Sequence, residues 1–488
     1  MNKKGTLGGN IVLLTSSKII TLLISMVSLM LLSRFRTLNE YGTYSQLMLV
    51  AALFTNMLML GLPNCINYFL VRAESLEDRR KFLSLYYSLG SLISIIIGGV
   101  LLLSLPLIET YFHNPSIRNY FYFLALYPWA SIITASIENL LIVYEKTRLL
   151  IIYRILNSLA LLGIIILIQF CGLGFSSYMV ALVIVNCIFT MSVYIIASKL
   201  CGGLSFSLDK VLIKAVFAFS IPIGLSTVVG TLNTEIDKLL IGYLMDTEQL
   251  GIYTNAAKEL PLTIVSASIT AVLLPKATKM IKDNKTDNAV KLWGVASELA
   301  LLVICFIVAG VFTYAEEAMT ILYSDKFLPG VSVFRIYTLN LILRCTYFGM
   351  ILNAYGKTKK IFLCSILSLI FNAILNPLLY YLLGIIGPAI ATFISIFLVL
   401  LLQLKMTSKV ANISLKNIFP WFRTLFIIVI NTLFAIVFFI LKKILPLDEN
   451  IGEVLESIVL GVIWFALYFI VMKNRIVKCW KLLNSEGE

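Results

Sequence analysis

Long apolar runs separated by short polar loops alternate along the whole chain. Residues 82–108 and 361–404 contain no charged residue. The first run fits one membrane-spanning helix of about 20 residues or slightly more, and the second is long enough for two, with Gly384, Gly387 and Pro388 between them. The pattern predicts an all-α polytopic membrane protein with about 14 transmembrane helices. The predicted spans are residues 9–32, 42–70, 82–105, 119–142, 149–170, 175–198, 211–234, 249–275, 290–314, 331–354, 361–382, 385–404, 421–441 and 454–472.

Two short motifs occur twice at nearly the same spacing. Residues 38–45 (LNEYGTYS) and 247–254 (TEQLGIYT) align a glycine and a tyrosine at an offset of 209. Residues 144–148 (YEKTR) and 355–359 (YGKTK) align a tyrosine, a lysine and a threonine at an offset of 211. All four segments lie in loops or at the ends of apolar runs. The agreement of the two offsets indicates a duplicated bundle of helices, which is typical of secondary transporters.

The repeat predicts how the chain divides. We expect a six-helix N-terminal lobe at 1–205, a six-helix C-terminal lobe at 206–410, and an additional transmembrane helix pair with a cytoplasmic tail at 411–488. Because six is an even number, both lobes enter the membrane in the same direction, and the repeats are parallel rather than inverted.

Composition and charge support a membrane protein and fix its expected orientation. Hydrophobic residues make up 60% of the chain, charged residues 13%, and the mean hydropathy is +0.96. If the N-terminus is cytoplasmic, and the first five residues of each span are counted with the loop before it, the outward loops hold eight basic residues, the spans hold four, and the cytoplasmic loops and termini hold the other 27 of 39. This bias predicts that both termini are cytoplasmic. The net charge of +14 therefore indicates basic loops that face anionic lipid headgroups, and not a nucleic-acid-binding protein.

Several classes of site are not expected. The eight cysteines are scattered without a CxxC motif, which argues against a disulfide framework and a metal site. The first apolar run is too long for a cleavable signal peptide. The loops are too short to fold as catalytic domains, and His113 is the only histidine. We therefore expect no enzyme of the polymerase or acyltransferase type and no catalytic residue.

Ionisable and amide side chains inside the spans are the candidate site. A charge near the membrane centre costs about 2.5–3.5 kcal/mol on insertion scales, so its retention suggests function. Lys18, Lys258 and Arg344 are deep cations that do not superpose at the repeat offset, because Lys18 aligns with Thr227 and Arg344 with Ile133. The sequence thus predicts an asymmetric, net-basic cavity that suits an anionic substrate. The alternative is that carboxylates neutralise these cations and lock helices together, with candidates Asp237, Glu259 and Glu298.

Helical spacing groups the remaining polar candidates. At 100° per residue, Asn340, Arg344 and Tyr347 are predicted to share one face of the tenth span. Asn64 and Asn67 share a face of the second span, where Pro63 predicts a kink. Acidic residues that could couple or gate transport are Glu235, Asp237 and Glu259, with Asn255 and Glu259 spaced i,i+4. Asparagine and threonine stripes are more often interhelical hydrogen bonds than ligands.

In outline, the chain resembles the polysaccharide-unit (Wzx-type) flippases of the superfamily that also contains multidrug MATE exporters and peptidoglycan lipid flippases. The resemblance covers essentially the whole chain. It is carried by the 6+6+2 organisation and by Ile236-Asp237-Lys238-Leu239-Leu240-Ile241-Gly242 followed by Leu250-Gly251-Ile252-Tyr253. Tyr41-Gly42-Thr43-Tyr44 and Tyr355-Gly356-Lys357-Thr358 support it.

This resemblance implies alternating access around a polar central cavity, with an oligosaccharide on undecaprenyl pyrophosphate moved to the outer leaflet of a bacterial plasma membrane. Polysaccharide polymerase and chain-length machinery would then be partners. Lys18, Lys258 and Arg344 would attract pyrophosphate, while Asn64, Asn67, Asn340 and Tyr347 would contact sugars. No cofactor is expected, and coupling to protons or sodium stays open. The alternatives are a MATE-type drug/cation antiporter and a peptidoglycan lipid-precursor flippase.

Overall fold

The protein is helical throughout the part that the structure describes. The computed structural model covers residues 7–444 and 453–485, and over these ranges every regular element is a helix. The predicted all-α fold is confirmed. The α-helices are α1 (Leu7–Phe35), α2 (Leu38–Leu58), α3 (Leu76–Leu103), α4 (Leu105–Phe112), α5 (Phe121–Thr134), α6 (Ile137–Val143), α7 (Thr147–Phe170), α8 (Phe175–Cys201), α9 (Lys210–Leu244), α10 (Thr247–Ala256), α11 (Thr263–Lys282), α12 (Thr286–Thr313), α13 (Ala315–Leu322), α14 (Val331–Leu343), α15 (Met350–Ala354), α16 (Thr358–Leu383), α17 (Gly387–Ala411), α18 (Trp421–Ile444) and α19 (Glu453–Ser485). Short π- or 3₁₀-helical turns lie at Ile66–Leu70, Pro115–Tyr120, Asp325–Gly330 and Gly384–Ile386.

Polar side chains fix where several of these helices begin. At the start of α2, the Thr37 hydroxyl accepts a hydrogen bond from the Glu40 N–H at 3.2 Å, and the Glu40 carboxylate accepts from the Thr37 N–H at 3.0 Å. Ser75 and Asp78 form the same reciprocal pair at the start of α3. The Asp209 carboxylate caps α9. Each cap satisfies N–H groups that have no partner within the helix.

Eleven helical stretches of the described chain are long and apolar enough to cross a membrane. One of them, Thr358–Ala411, contains both α16 and α17 and is 54 residues long. The spans predicted at 42–70 and 331–354 fall on broken helices that are not among the eleven. The chain is thus a multi-pass membrane protein, whereas the number of about 14 spans stays a prediction.

Element boundaries recur along the chain at a nearly constant spacing. The starting residues 38, 76, 105, 115, 121 and 147 of the first half correspond to 247, 286, 315, 325, 331 and 358 of the second, at offsets of 209 to 211. One interruption recurs as well, since α5 ends at Thr134 and α14 at Leu343, 209 residues later. The breaks after α2 and α10 do not follow this spacing, because Leu58 and Ala256 are 198 residues apart. The repeat seen in two short motifs therefore extends to the order of the helices and to one of their breaks.

The predicted shared face of Asn340, Arg344 and Tyr347 is wrong. Helix α14 ends at Leu343, so Arg344 caps its C-terminus and Tyr347 lies in the turn before α15. Hydropathy averaged over a window of about 20 residues does not reveal such a break, because the six residues between α14 and α15 are averaged with apolar helix on both sides.

Two further predicted helices are broken in the same way. Between α2 and the turn at Ile66–Leu70, Leu60 and Gly61 adopt left-handed φ values of 48° and 70°. The chain therefore turns before Pro63 instead of only kinking there. Asn64 and Asn67 both lie in the helical segment after this turn, which keeps their i,i+3 spacing but separates them from α2. Glu259 lies beyond the end of α10, where Pro261 cannot donate to a continuing helix, so its i,i+4 relation to Asn255 is lost.

Contacts between Cα atoms divide the chain into two compact units. The first unit runs to Ile252 and includes Leu322–Ser324, and the second comprises Tyr253–Ile321 and the chain from Asp325. The predicted division at 205 and 410 follows the repeat in the sequence, which is a different criterion from contacts between Cα atoms. It therefore stays a prediction. The two units are described separately below.

In the first unit, the two copies of the repeated glycine motif pack backbone against backbone. A Cβ atom on Gly251 would lie 3.1 Å from the Cα and the N atom of Gly42, and a Cβ atom on Gly42 would overlap the carbonyl oxygen of Thr247. The two helix starts can approach this closely only because both positions are glycine.

A buried polar network surrounds this glycine contact. The Asn114 amide donates to Thr43 Oγ1 at 3.0 Å and to Gln46 Oε1 at 2.7 Å, and the Gln46 amide donates to Thr247 Oγ1 at 3.2 Å. All four side chains are at least 93% buried, with exposures from 0% for Gln46 to 7% for Thr247. Because a buried amide without partners is costly, the network specifies how the ends of α2 and α10 pack.

In the second unit, the helix pair without a counterpart packs on α12. The Trp464 ring of α19 stacks on Phe438 of α18, with centroids 4.8 Å apart. The Tyr468 hydroxyl donates to the Leu302 carbonyl of α12 at 2.7 Å. Glu298 of α12 is 95% buried, and its Oε2 atom forms a salt bridge with Nη1 of Arg423 on α18 at 3.0 Å. The terminal pair is therefore an integral part of this unit.

The glycine contact predicts a position-specific effect on stability. We expect Gly42→Ala to lower the free energy of unfolding by about 1–3 kcal/mol, because the added methyl group must push the Thr247 backbone away. Gly99→Ala on α3 is the matched control, since nothing lies within 4 Å of the position of its Cβ. Thermal unfolding of the purified protein measures both, and equal midpoints for Gly42→Ala and wild type would contradict the prediction.

Candidate functional site

Three charged side chains from three helices meet in the first unit. Lys18 Nζ of α1 lies 3.1 Å from Glu138 Oε1 of α6, and Arg154 Nη2 of α7 lies 2.5 Å from Glu138 Oε2. Arg154 Nη1 also donates to Ser17 Oγ at 3.4 Å. One carboxylate thus faces two cations, which leaves the cluster with one net positive charge.

Exposure differs among the members of this cluster. The Lys18 side chain is 59% exposed and Glu138 is 41% exposed, whereas Arg154 is only 14% exposed. Arg154 is thus the fixed member, and Lys18 the member free to turn toward another anion. Glu138 neutralises Lys18, instead of the predicted Asp237, Glu259 or Glu298. The available signal was position, since Lys18, Glu138 and Arg154 all lie in the cytoplasmic halves of their predicted spans.

Asparagines next to this cluster satisfy the backbone of the broken second span. Asn67 Nδ2 donates to Asn139 Oδ1 at 3.2 Å, and Asn139 Nδ2 donates to the Pro63 carbonyl at 2.9 Å. Asn64 Nδ2 lies 3.4 Å from the Gly61 carbonyl. Both Asn64 and Asn67 are exposed. Asn139 follows Glu138 directly, so the exposed amides and the charged cluster belong to one region of the first unit.

The acidic candidates of α9 make contacts with their neighbour Lys238. Glu235 Oε2 pairs with Lys238 Nζ at 2.7 Å. Asp237 is 99% buried, and its Oδ1 accepts from the Lys238 N–H at 2.9 Å. Lys238 therefore compensates the charge of Glu235, and of these two carboxylates Asp237 is the buried one.

In the second unit, Arg344 and Glu259 are brought together. Their Nη1 and Oε2 atoms are 3.0 Å apart, with 33% and 21% of the side chains exposed. Lys258, next to Glu259, is exposed. Tyr347 is half-buried, and Asn340 is fully buried without a hydrogen-bond partner for either amide atom among the described residues. Asn340 therefore faces the protein interior, and its predicted contact with sugars stays untested.

A buried polar group on α16 and α17 was not singled out from the sequence. Asn376 Nδ2 donates to Asn372 Oδ1 at 3.2 Å, and Thr392 Oγ1 donates to the same oxygen at 3.4 Å. All three side chains are at least 94% buried. The signal was the i,i+4 spacing of Asn372 and Asn376 in a stretch without charges, which identifies an interhelical contact more readily than a ligand.

The part of the chain that the structure describes contains no candidate metal site. There, no three His, Cys, Asp or Glu side chains are grouped so that they could hold a metal ion. The arrangement can instead bind anions, because each unit presents a cation paired with a carboxylate that a second anion could replace: Lys18 in the first unit and Arg344 in the second.

Comparison with solved structures identifies the fold. The lipid II flippase MurJ, in an inward closed conformation, superposes with a TM-score of 0.72 over 95% of this chain and 100% of its own, at 18% identity. An inward-facing multidrug resistance MATE family transporter of the MOP superfamily gives 0.64 over 83% of this chain and 99% of its own, at 14% identity. A MOP superfamily transporter from Pyrococcus furiosus, which is described with a reversed polarity of its binding pocket, gives a TM-score of 0.51 over 83% of this chain and 94% of its own, at 13% identity.

Sequence comparison identifies the family. No curated protein matches the chain. The sequence pattern of the family described as polysaccharide biosynthesis protein matches residues 31–332, which is more than half of the 488 residues. The fold is similar to that of the MurJ and MATE transporters, and the sequence match covers most of the chain. The chain therefore belongs to the polysaccharide biosynthesis protein family.

Proposed function

We propose that this protein is a flippase that carries oligosaccharide repeat units, linked to undecaprenyl pyrophosphate, from the inner to the outer leaflet of the bacterial plasma membrane. The polymer built from them would be a surface polysaccharide such as O-antigen, capsule or exopolysaccharide. The observation that carries the proposal is the net-basic cluster of Lys18, Glu138 and Arg154 in a chain of the polysaccharide biosynthesis family. The protein acts as a transporter and not as an enzyme.

The chemistry of the cargo explains why such a cluster is useful. A pyrophosphate group cannot enter hydrocarbon without compensation of its charge and hydrogen bonds. Its oxygens would replace one or both oxygens of Glu138, with Arg154 as the fixed, fork-shaped donor and Lys18 as the movable point charge. The cations are thus satisfied by carboxylate in the empty state and by phosphate in the loaded state. The prenyl chain would stay in the bilayer.

Neighbouring polar groups would contact the sugars. The exposed amides of Asn64 and Asn67 lie beside the cluster and can both donate and accept, as sugar hydroxyls require. Lys258, Asn340 and Tyr347 of the second unit are proposed to contact the same substrate in other stages of the cycle. For Asn340 this requires a rearrangement that exposes its buried amide.

An ion-coupled cycle would use carboxylates whose partners change during transport. Glu259 is the favoured candidate, because phosphate binding at Arg344 would release its carboxylate to take up a proton or sodium ion. Glu235 and Asp237 are the other candidates; Asp237 is buried and Glu235 pairs with Lys238.

Alternating access requires the repeated halves to separate at one membrane face. The contact between Gly42 and Gly251 joins both copies of the repeated motif at their predicted outward ends. Opening toward the outside would therefore break this contact and the Asn114 network around it. The buried polar groups would then become accessible to water, which compensates part of the loss.

A peptidoglycan lipid-precursor flippase is the second candidate. The likeness of the fold to the lipid II flippase MurJ supports this candidate. A drug/cation antiporter is a weaker candidate, since a cavity for cationic drugs would be expected to be acidic, whereas the cluster around Glu138 is net basic.

Complementation tests the proposed function directly. In a bacterium that lacks its own oligosaccharide-unit flippase, we expect this protein to restore surface polysaccharide on an immunoblot and to clear the accumulated lipid-linked sugar. Several hosts with different repeat units are used in parallel, and an otherwise identical host depleted of its lipid II flippase is the comparison. Rescue of the lipid II host alone would replace the first proposal by the second candidate.

Substitution of the cluster tests the binding chemistry. We expect Lys18→Gln to reduce flipping by about tenfold or more, because a charge-assisted hydrogen bond contributes about 1.5–3 kcal/mol. Lys18→Arg should retain most activity, since it preserves the charge. Lys81→Gln is the matched control, because Lys81 forms an exposed pair with Glu77 at 3.1 Å outside the cluster. Normal polymer export by Lys18→Gln at wild-type abundance would exclude a role for this cation.

Coupling at Glu259 is tested in proteoliposomes that carry a proton or a sodium gradient. We expect Glu259→Gln to keep downhill movement of a lipid-linked oligosaccharide but to lose its acceleration by the gradient. Glu316→Gln is the control, since Glu316 pairs with Arg335 at 3.2 Å and is 60% exposed. A Glu259→Gln protein that responds to the gradient as the wild type does would rule out this carboxylate.

A further inference from the structure

A second basic site lies in the second unit, apart from the cluster proposed for the substrate. A cavity of about 700 Å³ is enclosed by the start of α12, the segment 412–420 and the end of α19. Its polar lining consists of Asp287, Lys291, Lys416, Asn417 and Arg423.

The cavity has more cations than carboxylates. Lys291 and Lys416 are exposed, and neither has a salt bridge among the described residues. Arg423 already pairs with the buried Glu298 at 3.0 Å, and Arg475 approaches the same carboxylate at 3.8 Å. Asp287 is the carboxylate of the lining, so two lysines are left to receive an anion.

Exposed aromatic residues lie next to the cavity. The Trp421 indole donates to the Leu415 carbonyl at 2.9 Å, which holds the ring at the start of α18. Phe422 is 78% exposed, directly beside it. The buried Ile418 and Phe419 line the cavity from the apolar side. An apolar wall, a basic wall and adjacent exposed aromatic residues are the combination that suits a lipid headgroup, because tryptophan is enriched at membrane interfaces.

We propose that this cavity binds the phosphate group of an anionic lipid of the cytoplasmic leaflet. Lys291 and Lys416 contact the phosphate oxygens as point charges, and Arg423 contributes the part of its guanidinium that Glu298 does not use. A free phosphate ion has the same recognition chemistry. The bound headgroup would hold the segment 412–420 against α12.

Lipid retention by the purified full-length protein tests the site. Native mass spectrometry is recorded after exposure to phosphatidylglycerol or to phosphatidylcholine. We expect the wild type to retain phosphatidylglycerol, and Lys291→Gln/Lys416→Gln to lose about tenfold or more of that retention. Lys405→Gln/Lys409→Gln removes the same charge from exposed positions of α17 outside the cavity, and should retain phosphatidylglycerol as the wild type does.

A second variant that makes the cavity more positive provides an independent test if Lys291→Gln/Lys416→Gln does not fold. Asp287→Asn removes the carboxylate of the lining and should increase retention of phosphatidylglycerol over phosphatidylcholine. Equal retention by wild type, Lys291→Gln/Lys416→Gln and Asp287→Asn would overturn the proposal.

The source of the phosphate is distinguished in a separate arm. Inorganic phosphate is titrated into lipid-depleted protein, with sodium chloride at matched ionic strength as the reference, and thermal unfolding is measured. No stabilisation beyond chloride is expected for a site that needs the lipid. Stabilisation by phosphate that disappears in Lys291→Gln/Lys416→Gln would instead assign the cavity to a soluble phosphate and overturn the lipid assignment.

Discussion

A hydrocarbon environment offers no hydrogen bonds, so each polar group placed in it must find its partner within the protein, and the other features of this structure depend on that constraint. Continuous helices meet it automatically. Where a helix breaks, a side chain supplies the missing partner, as Asn139 does for the Pro63 carbonyl. Where a charge enters a span, an opposite charge accompanies it, as Glu259 accompanies Arg344. The helix breaks and the charged side chains are therefore the positions at which a free-energy cost of burial is offset by a specific partner. A transport cycle could use these positions, because one partner can be exchanged for another.

The two units solve this problem with different residues. The first presents two cations around Glu138, and the second presents the pair of Arg344 and Glu259. In the second unit the terminal helices add Arg423 and Arg475, which converge on Glu298. A duplicated scaffold has thus acquired different charges at non-equivalent positions. Such asymmetry suits a cargo whose ends differ, one a pyrophosphate and the other a neutral or acidic sugar.

Much of the architecture follows from sequence patterns, because hydropathy and repeated loop motifs report burial in lipid and duplication directly. The all-α fold and the motif repeat at Gly42 and Gly251 are of this kind. The helix ends at Leu58, Ala256 and Leu343 were not predicted, because a window long enough to detect a membrane span averages the few polar, glycine and proline residues at each break with the apolar sequence around them. The pairing of Lys18 with Glu138 was also missed. Three different spans contribute to that cluster, and sequence separation carries no information on which of them are neighbours in space. The charge of Asp237 makes it a candidate in the sequence, but its burial is visible only in the structure. The Asn372 and Asn376 pair is not distinguished by sequence, because uncharged amides at helical spacing are typical of ordinary interhelical hydrogen bonds.

The contact between Gly42 and Gly251 also bears on how the two copies of the motif can diverge. These glycines are equivalent positions of a duplicated motif, and their backbones touch. Such a contact is the kind that two identical chains make across a two-fold axis, where one residue meets its own copy. In a homodimer of the repeated unit, any substitution in such a contact would alter both sides at once. Within a single chain each side can mutate alone, so the sequences on the two sides can diverge in charge while the contact between the glycines is kept.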